Sequence, residues 1–481
     1  MNWFSQKKVY QILLIVFLLG TLLRLYRLDD FAIFLGDQGR DAIIMSRIVS
    51  FEHFPAVGPS SSVGQVYLGP FYYYFMAPWL PLFNMHPLGP VVGVALLSSL
   101  FIILAYFMIE DLFDEKIALI TSTLIAFSAT LVDLSRFSWN PNILPMMSFI
   151  AIYFFIKSLA TKDRKFFILT GIFTGFAFQL HYVTFSLLFA FIVITGFYAF
   201  KNKKGLRDLL KNTFVALCAF IVVNAPLIFF DLRHQFLNSK NFITLFNNPG
   251  SAASASINSV IEGFASLTTF SLSYSLISPV SLLLLFAFFY SYKTWKDTSY
   301  RLVLSIFILL LIVTSFMTAN KFPHYFGILY PLFYLILAVG IVRILEKTNM
   351  KLSATLIVLC LGLFLYLQAA KYPFLHREPN RQIAHAQRTA KQMYPLIHKE
   401  KFRLTAIPDS FGYSAYGYFL EIEGKKPVDN LTLEPADEMI VMCERECNPI
   451  GNPQWDVAFF GAKSIESSFI SDHVFVYKLI K

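Results

Sequence analysis

The sequence predicts a polytopic α-helical membrane protein with a small soluble α/β domain at its carboxyl end. Its 481 residues are 56% hydrophobic and 15% charged, whereas soluble domains carry about 25% charged residues. The apolar residues form long runs up to about residue 370, and from residue 371 the composition becomes that of a soluble domain. This distribution excludes a soluble enzyme and a disordered chain. Four cysteines are too few for a disulfide-stabilised scaffold of this length.

The apolar runs predict about eleven transmembrane helices, because a helix needs roughly 20 apolar residues to cross a bilayer. The first run is expected to remain in the protein as a span, since no small-residue cleavage site follows it. The runs are centred on residues 9–26, 88–109, 117–134, 143–160, 166–180, 186–200, 213–230, 272–292, 302–319, 325–342 and 352–370.

Basic residues predict the orientation of these helices. The chain carries 40 Lys and Arg against 30 Asp and Glu, and the excess is concentrated in alternate loops, at residues 162–165, 201–211, 293–301 and 343–351. Loops of this kind face the cytoplasm, so we expect a multi-pass cell-membrane protein with a cytoplasmic amino terminus and an external carboxyl terminus. Charges placed in short loops indicate topology, and they give no reason to expect a nucleic-acid partner.

Two stretches between the predicted spans are long enough to fold. The first external loop, residues 27–87, is expected to contain a helix at 40–49 and an aromatic, proline-broken interfacial helix at 70–83. The second stretch, residues 231–271, is polar around 247–259 and is expected to be partly mobile there.

The tail, residues 371–481, is expected to be an external α/β domain that follows a transmembrane domain of residues 1–370. Alternating patterns predict these elements. Whether Cys443 and Cys447 form a disulfide is left open, because their close spacing strains such a bridge. The predicted helices are 381–399 and 413–422, and the predicted strands are 402–407, 439–443, 457–460 and 474–479.

The leading candidate for chemistry is the segment Leu35-Gly36-Asp37-Gln38-Gly39-Arg40-Asp41-Ala42. If a helix begins near Gln38, Asp37 and Asp41 share one of its faces at a spacing of four residues. Asp37 is either a catalytic carboxylate or a cap for the free N–H groups of the helix, and the residues alone leave both interpretations open. Asp41 is expected to pair with an arginine, and a direct role as a second carboxylate remains an alternative.

Two further external segments place cations near the membrane edge. Arg136 lies in a tight turn, and Lys321 and His324 lie in a loop between two predicted spans. Ionisable groups at this depth are costly and therefore indicate function by default. A cation there either reaches lipid headgroups or binds the phosphate of a substrate. The other candidates for the same external cavity are Gln38, Arg40, Tyr72, Asn140, His181, Tyr182 and Tyr325.

Four motifs in this order resemble the GT-C superfamily of lipid-linked glycosyltransferases. They are GDQGRDA (36–42), LGPFYYYFMAP (68–78), SRFSWNPN (135–142) and KFPHYFGILYP (321–331). The resemblance is strongest to the family-39 branch, which includes protein O-mannosyltransferases and the lipid A aminoarabinose transferase, and it covers about three quarters of the chain. Many relatives have Asp-Glu where this chain has Asp37-Gln38, which leaves one carboxylate at this position.

The resemblance implies a reaction as well as a fold. The donor would be a polyprenyl-phosphate sugar, with mannose as one candidate for the hexosyl or pentosyl group. An acceptor hydroxyl on a protein, lipid or glycan would receive the sugar with inversion, with Asp37 as general base. Arg136, Lys321 and His324 would stabilise the leaving phosphate. No cofactor is expected to be required, and the sequence gives no indication of nucleotide binding. A divalent metal stays open as an alternative that no ligand spacing in the sequence indicates.

Two other functions fit the same topology. A transporter or flippase of lipid-linked saccharides would also use external cations, but it predicts polar residues near the bilayer midplane. The predicted spans are strongly apolar, with Gln179 and Asn224 as the few exceptions. A polysaccharide ligase or polymerase is chemically closer and would differ from a transferase mainly in its acceptor.

Overall fold

The computed structural model describes residues 5–61, 65–201, 203–247, 256–273, 297–318, 320–345, 349–430 and 432–481. Up to residue 376 the regular elements of these ranges are helices. We number the α-helices in chain order as α1 Gln6–Leu25, α2 Leu28–Phe31, α3 Gly36–Val49, α4 Phe71–Met76, α5 Trp79–Leu82, α6 Leu88–Leu112, α7 Glu115–Phe127, α8 Ala129–Leu134, α9 Leu144–Thr161, α10 Arg164–Leu180, α11 Thr184–Lys201, α12 Leu206–Val223, α13 Ala225–Arg233, α14 Leu237–Asn247, α15 Ile257–Leu272, α16 Thr298–Met317, α17 Tyr330–Leu345, α18 Met350–Ala369 and α19 Pro373–His376. Short 3-10 helices precede α9, α12 and α17, at Asn140–Ile143, Lys203–Gly205 and Pro323–Phe326.

Several of these helices are long and apolar enough to cross a membrane. Among the described residues they are α1, α6, α9 with its preceding turn, α11 and α16, and the bent pair α12 and α13 makes a sixth candidate. Shorter apolar stretches lie within α17 and α18. The run predicted at 272–292 falls almost entirely outside the described residues, so the number of eleven spans stays a prediction.

Two of the predicted spans are interrupted. The run at 117–134 is divided at Ser128, which has an extended backbone and whose Oγ accepts a hydrogen bond from the N–H of Leu131 as the first residue before α8. The run at 213–230 is divided at Asn224, where α12 and α13 meet at an angle of 67°. Pro226 follows this bend and has no N–H to continue the hydrogen bonding of α12. A capping serine and a proline therefore divide helices that hydropathy alone predicts to be continuous.

Aspartates start three of the membrane helices. Asp114 Oδ1 accepts hydrogen bonds of 3.0 Å from the backbone N–H groups of Lys116 and Ile117 at the start of α7. Asp163 and Asp297 accept bonds from the first N–H groups of α10 and α16 in the same way. The acidic residue at each of these positions satisfies N–H groups that have no partner within the helix.

The loop at residues 27–87 contains α3 and two short aromatic helices. α3 begins at Gly36, four residues earlier than predicted, and ends at Val49. The aromatic stretch forms α4 and α5, which are separated at Pro78, as the proline-broken pattern indicates. In the second stretch, α14 and α15 flank residues 248–255, which lie outside the described residues and carry most of the predicted mobile segment.

The tail forms a four-stranded sheet with the strand order β1-β2-β4-β3. β1 is parallel to β2, and β4 is antiparallel to both β2 and β3. The strand predicted at 457–460 is wrong, because these residues belong to a short helix, and β3 was not predicted. The strands are β1 Phe402–Ile407, β2 Glu438–Cys443, β3 Ser464–Ser471 and β4 Val474–Ile480, and the helices are α20 Gln382–Met393, α21 Ser414–Ile422 and α22 Trp455–Phe460. A disulfide joins Cys443 and Cys447.

The tail packs directly on α3. At Gly39 the helix lies so close to α21 that a Cβ atom there would lie less than 3.0 Å from backbone atoms of Ser414 and Ala415. Arg47 donates two hydrogen bonds of 2.7 and 2.8 Å to the carboxylate of Glu421. One hydrophobic core continues from the membrane helices through α3 into α20 and α21. α3 is therefore held between the helical bundle and the tail.

Candidate active site

The start of α3 is capped by Gln38 and not by Asp37. The side-chain Oε1 of Gln38 turns back and accepts a hydrogen bond of 3.1 Å from the N–H of Leu35, the residue before the helix. Gln38 is buried by this arrangement. The side chain of Asp37 instead points toward solvent, with 53% of its surface exposed. Gln38 therefore provides the cap, and the structure gives Asp37 no capping role.

Arg40 bridges the two aspartates of α3. Its Nη1 lies 2.9 Å from Asp37 Oδ1, and its Nη2 lies 2.8 Å from Asp41 Oδ1. Asp41 is only 1% exposed, so the pair combines one carboxylate open to solvent with one enclosed in protein. Burial alone would lower the pKa of Arg40, but the charges of Asp41 and Asp37 outweigh it and raise that pKa. Arg40 is therefore a fixed positive charge that orients both carboxylates.

Asp41 is incompletely satisfied in its buried position. Its Oδ1 accepts bonds from Arg40 and, at 3.2 Å, from the hydroxyl of Tyr73. Its Oδ2 is buried and has no hydrogen-bond partner among the described residues. Burial raises the pKa of Asp41, against the opposing effect of Arg40. A carboxyl group in this environment favours its neutral form more than an exposed one does.

The aromatic helix α4 links α3 to the turn at 135–142. Tyr73 reaches Asp41, while the hydroxyl of the adjacent Tyr72 shares a hydrogen bond of 2.7 Å with Ser138 Oγ. Tyr72 and Tyr73 are both fully buried. Three of the four motifs noted in the sequence therefore meet through two neighbouring tyrosines.

The fourth motif joins the same region through a cluster of rings. Trp139 lies 4.7 Å from His324 between ring centroids, and His324 lies 5.6 Å from His181. Tyr325 contacts His181 at 5.4 Å and Tyr182 at 5.9 Å. Burial lowers the pKa of His181 and lowers that of His324 to about 4. Both imidazoles are therefore neutral at neutral pH and able to donate or accept hydrogen bonds without carrying charge.

Two amides hold these segments against each other. Asn140 donates a hydrogen bond to the carbonyl of Leu180, next to His181. Gln179 accepts a bond of 3.0 Å from the N–H of Phe71 at the start of α4. In the sequence Gln179 is only a polar exception in an apolar run, and its position near the end of a predicted span is the one signal of this role.

The side chain of Arg136 donates hydrogen bonds to backbone carbonyls at the end of α1. Its Nη1 donates to the carbonyls of Leu23 and Arg24, and its Nη2 donates to the carbonyls of Tyr26 and Arg27. The guanidinium also lies 4.1 Å above the ring of Phe374. All four terminal N–H donors thus bond to carbonyls of the last turn of α1 or of the two residues after it, and the carbonyls of a last turn have no partners within the helix. This geometry favours a structural role over phosphate binding.

The side chain of Lys321 donates hydrogen bonds to the end of α16. Its ammonium donates to the carbonyl of Ser315 at 2.7 Å and to that of Thr318. A third, longer hydrogen bond of 3.4 Å reaches Thr318 Oγ1, so each of the three N–H donors of the ammonium has an acceptor at the end of α16. Lys321 stands three residues before His324, which places it beside the ring cluster.

A cavity of about 310 Å³ opens on the other side of Arg136. It lies where α2 and the end of α8 meet the beginning of the tail, and each of the last two segments contributes one cation and one carboxylate to its lining. Across the described ranges, no group of three or more His, Cys, Asp or Glu side chains is arranged to hold a metal ion. The cavity is lined by Phe31, Ile33, Asp133, Arg136, Phe137, Pro373, Phe374, Arg377, Glu378 and Asn380.

Comparison with known proteins agrees with the predicted resemblance. Residues 68–229 match the family model described as dolichyl-phosphate-mannose-protein mannosyltransferase. Among curated proteins, no sequence matches the chain.

Solved structures share the fold at low sequence identity. ArnT from Cupriavidus metallidurans, in a crystal structure with undecaprenyl phosphate, superposes with a TM-score of 0.65 at 13% identity, over 99% of this chain and 98% of that one. The apo oligosaccharyltransferase of Archaeoglobus fulgidus superposes with a TM-score of 0.58 at 14% identity, over 92% of this chain and 70% of that one. The oligosaccharyltransferase AglB of the same organism, in complex with an inhibitory peptide and a dolichol-phosphate, gives 0.53 at 13% identity over the same shares.

These comparisons confirm the predicted fold class, a multi-pass helical membrane protein with a small sheet domain at its carboxyl end. The family match covers the segments that contain α4, the turn at 135–142 and His181, which the structure brings together around α3. Over residues 68–229 the chain is therefore similar to the dolichyl-phosphate-mannose-protein mannosyltransferase family, and over nearly its whole length it shares the fold of ArnT.

Proposed function

We propose that this protein transfers a sugar from a polyprenyl-phosphate donor to an acceptor hydroxyl on the external side of the cell membrane, with Asp37 as general base. The observation that carries this proposal is the exposed carboxylate of Asp37, which Arg40 holds at 2.9 Å and which capping does not use. The family description supports mannose as the sugar. The lipid phosphates bound to ArnT and AglB support the donor class.

The proposed reaction is an inverting displacement. Asp37 accepts the proton of the acceptor hydroxyl while the oxygen of that hydroxyl forms a bond to the anomeric carbon. The bond from that carbon to the phosphate oxygen breaks, and the electron pair leaves with the polyprenyl phosphate. A solvent-exposed carboxylate is a suitable general base for this step. Arg40 is a positioning residue, since its bond to Asp37 fixes the direction of the carboxylate.

The leaving phosphate requires donors aimed at its developing charge. We assign this role to Lys321 and His324, because Lys321 is a cation three residues before His324 and His324 is a neutral donor in the ring cluster. Arg136, which the sequence suggested for the same role, is assigned instead to the end of α1, where its four terminal donors are used. We assign the transfer reaction to residues 1–370, and the tail, residues 371–481, to the support of α3 from outside.

Asp37→Asn tests the proposal. The substitution keeps the size of the side chain but removes the ionisable oxygen, so turnover should fall by roughly 10²–10⁴-fold while donor affinity changes little. Purified protein would be incubated with radiolabelled polyprenyl-phosphate mannose and membranes, and the labelled acceptor then located. Asp29→Asn is the matched control, because Asp29 is an exposed aspartate of the same loop outside α3. Transfer by Asp37→Asn at the wild-type rate would refute Asp37 as the base. A wild-type protein that moves the donor without forming a labelled acceptor would indicate a transporter.

A further inference from the structure

A groove of about 680 Å³ lies between α11 and α16, away from the candidate active site. Both of its walls are helices of the membrane bundle. Its lining combines apolar side chains with two cations and three hydroxyl groups. It is lined by Val193, Ile194, Phe197, Tyr198, Lys201, Thr298, Arg301, Leu302, Ser305, Ile308 and Leu309.

The groove is a wedge that closes toward the active site and opens toward the opposite end. At the closed end Thr314 Oγ1 donates a hydrogen bond of 3.3 Å to Ser186 Oγ, and both side chains are buried. The lining of α11 begins seven residues further on, at Val193, and continues to Lys201 at the last position of the helix. At a rise of 1.5 Å per residue, that wall is about 12 Å long. An acyl chain is the kind of ligand that fits a narrow apolar wedge of this length.

Both cations of the lining stand at the open end. Lys201 ends α11, with its ammonium 4.6 Å above the ring of Phe197. Arg301 lies in the first turn of α16 and donates a hydrogen bond of 3.0 Å to Thr298 Oγ1. In the part of the chain that the structure describes, neither cation forms a salt bridge, and no acidic residue lines the groove. The open end is therefore a site of positive charge above an apolar cleft.

The position of this end distinguishes it from the donor site. α11 starts at Thr184, three residues after His181 of the ring cluster, and runs for 18 residues to Lys201. The rise of the helix separates these two ends by about 25 Å, which approaches the thickness of the hydrocarbon core of a bilayer. The two cations thus lie at the membrane face opposite the candidate active site.

We propose that this groove binds an anionic glycerophospholipid, with its phosphate at Lys201 and Arg301 and one acyl chain between α11 and α16. Charge complementarity and shape together select this occupant. The cations match a phosphate at the level where helix ends meet the headgroups, and the apolar walls match a hydrocarbon chain. A zwitterionic lipid offers the same chain but a weaker charge, so the site should discriminate between headgroups.

Binding to lipids of defined headgroup tests the proposal. The full-length protein would be purified and titrated with phosphatidylglycerol or phosphatidylcholine of identical chains, and bound lipid counted by native mass spectrometry. The wild type should prefer phosphatidylglycerol. The double variant Lys201→Gln/Arg301→Gln should bind it about 25-fold more weakly, since each cation near an anionic surface contributes about fivefold.

A control variant removes the same charge from outside the groove. Lys203 and Arg207 are exposed in the adjoining basic segment and do not line it, so Lys203→Gln/Arg207→Gln should change binding by less than about twofold. A third variant, Ser305→Trp, places a large side chain in the groove and should reduce binding of both lipids. Equal binding of the two lipids by the wild type, or equal losses in the two double variants, would overturn the proposal. Because the readout is bound lipid, it does not depend on sugar transfer.

Discussion

Gly39→Ala tests whether close packing of the tail on α3 positions the candidate base. Gly39 lies two residues after Asp37, and a Cβ atom there would approach the backbone of Ser414 and Ala415 to less than 3.0 Å. Carbon atoms in contact are separated by about 3.5–4.0 Å. α3 and α21 must therefore move apart by at least about 0.5–1 Å, because the neighbouring atoms are backbone and cannot rotate away.

The expected magnitude follows from two opposing effects. Overpacking of a tight contact costs about 1–3 kcal/mol, while alanine in a helix gains about 1 kcal/mol over glycine. Gly417→Ala separates these effects, since Gly417 lies on α21 and its new Cβ would have its nearest neighbour at 3.4 Å. Gly417→Ala should thus keep or raise stability, whereas Gly39→Ala should destabilise the contact between α3 and the tail.

The rate of sugar transfer should fall in Gly39→Ala and stay close to the wild-type rate in Gly417→Ala. A shift of about 1 Å in a catalytic group can reduce turnover by up to about 10²-fold, so Gly39→Ala should lose between about 10- and 100-fold. Both variants would be compared with the wild type by thermal unfolding in detergent and by transfer from labelled donor. Full activity in Gly39→Ala, or an equal loss in Gly417→Ala, would show that packing of the tail on α3 does not position Asp37.

Three further predictions concern the surrounding contacts. Arg136→Ala should lower the free energy of unfolding by at least about 1.5–3 kcal/mol, which is the contribution of a single hydrogen bond to a charged donor. Weaker donor binding with unchanged thermal stability would instead make Arg136 a phosphate ligand. A double-mutant cycle of Arg47→Ala and Glu421→Ala should give a coupling of about 1–2 kcal/mol for this bidentate pair, measured by protease release of the tail, and a coupling near zero would contradict it. The depressed pKa of His324 means that the unfolded chain binds more protons between about pH 4 and 6.5. Stability should therefore rise with pH across this window, and His324→Gln should flatten that rise in thermal unfolding.

The convergence of the motifs could be predicted because each stands at the end of an apolar run. Segments that end spans on the same side of a membrane meet at one face of the bundle, and the contacts of Tyr72 with Ser138 and of Trp139 with His324 bear this out. The tail was partly predictable for the same kind of reason, since β1, β2 and β4 carry apolar patterns. β3 does not, because Ser464–Ser471 is a largely exposed edge strand with four serines.

The roles of individual polar side chains were less accessible to sequence reasoning. Arg136 looked like a ligand for phosphate because its partners are backbone carbonyls more than a hundred residues away, and no residue type marks them. Gln38 looked like a lost carboxylate, yet it provides the cap that leaves Asp37 exposed. The breaks at Ser128 and Asn224 were also missed, because hydropathy averages over a run and does not register a single capping or bending position.

Two buried arginines, Arg24 and Arg136, bond at the end of α1. Their partners impose an order on the assembly of the protein during synthesis. Arg24, which lies in α1 and is completely buried, donates to the carbonyls of Ile125 and Ala126 in α7. The carbonyls at the end of α1 accept hydrogen bonds from Arg136, which lies 113 residues after Leu23. When the first helix enters the membrane, these partners have not yet been translated. α1 therefore remains incompletely bonded at this end until α7, α8 and the turn that carries Arg136 are in place.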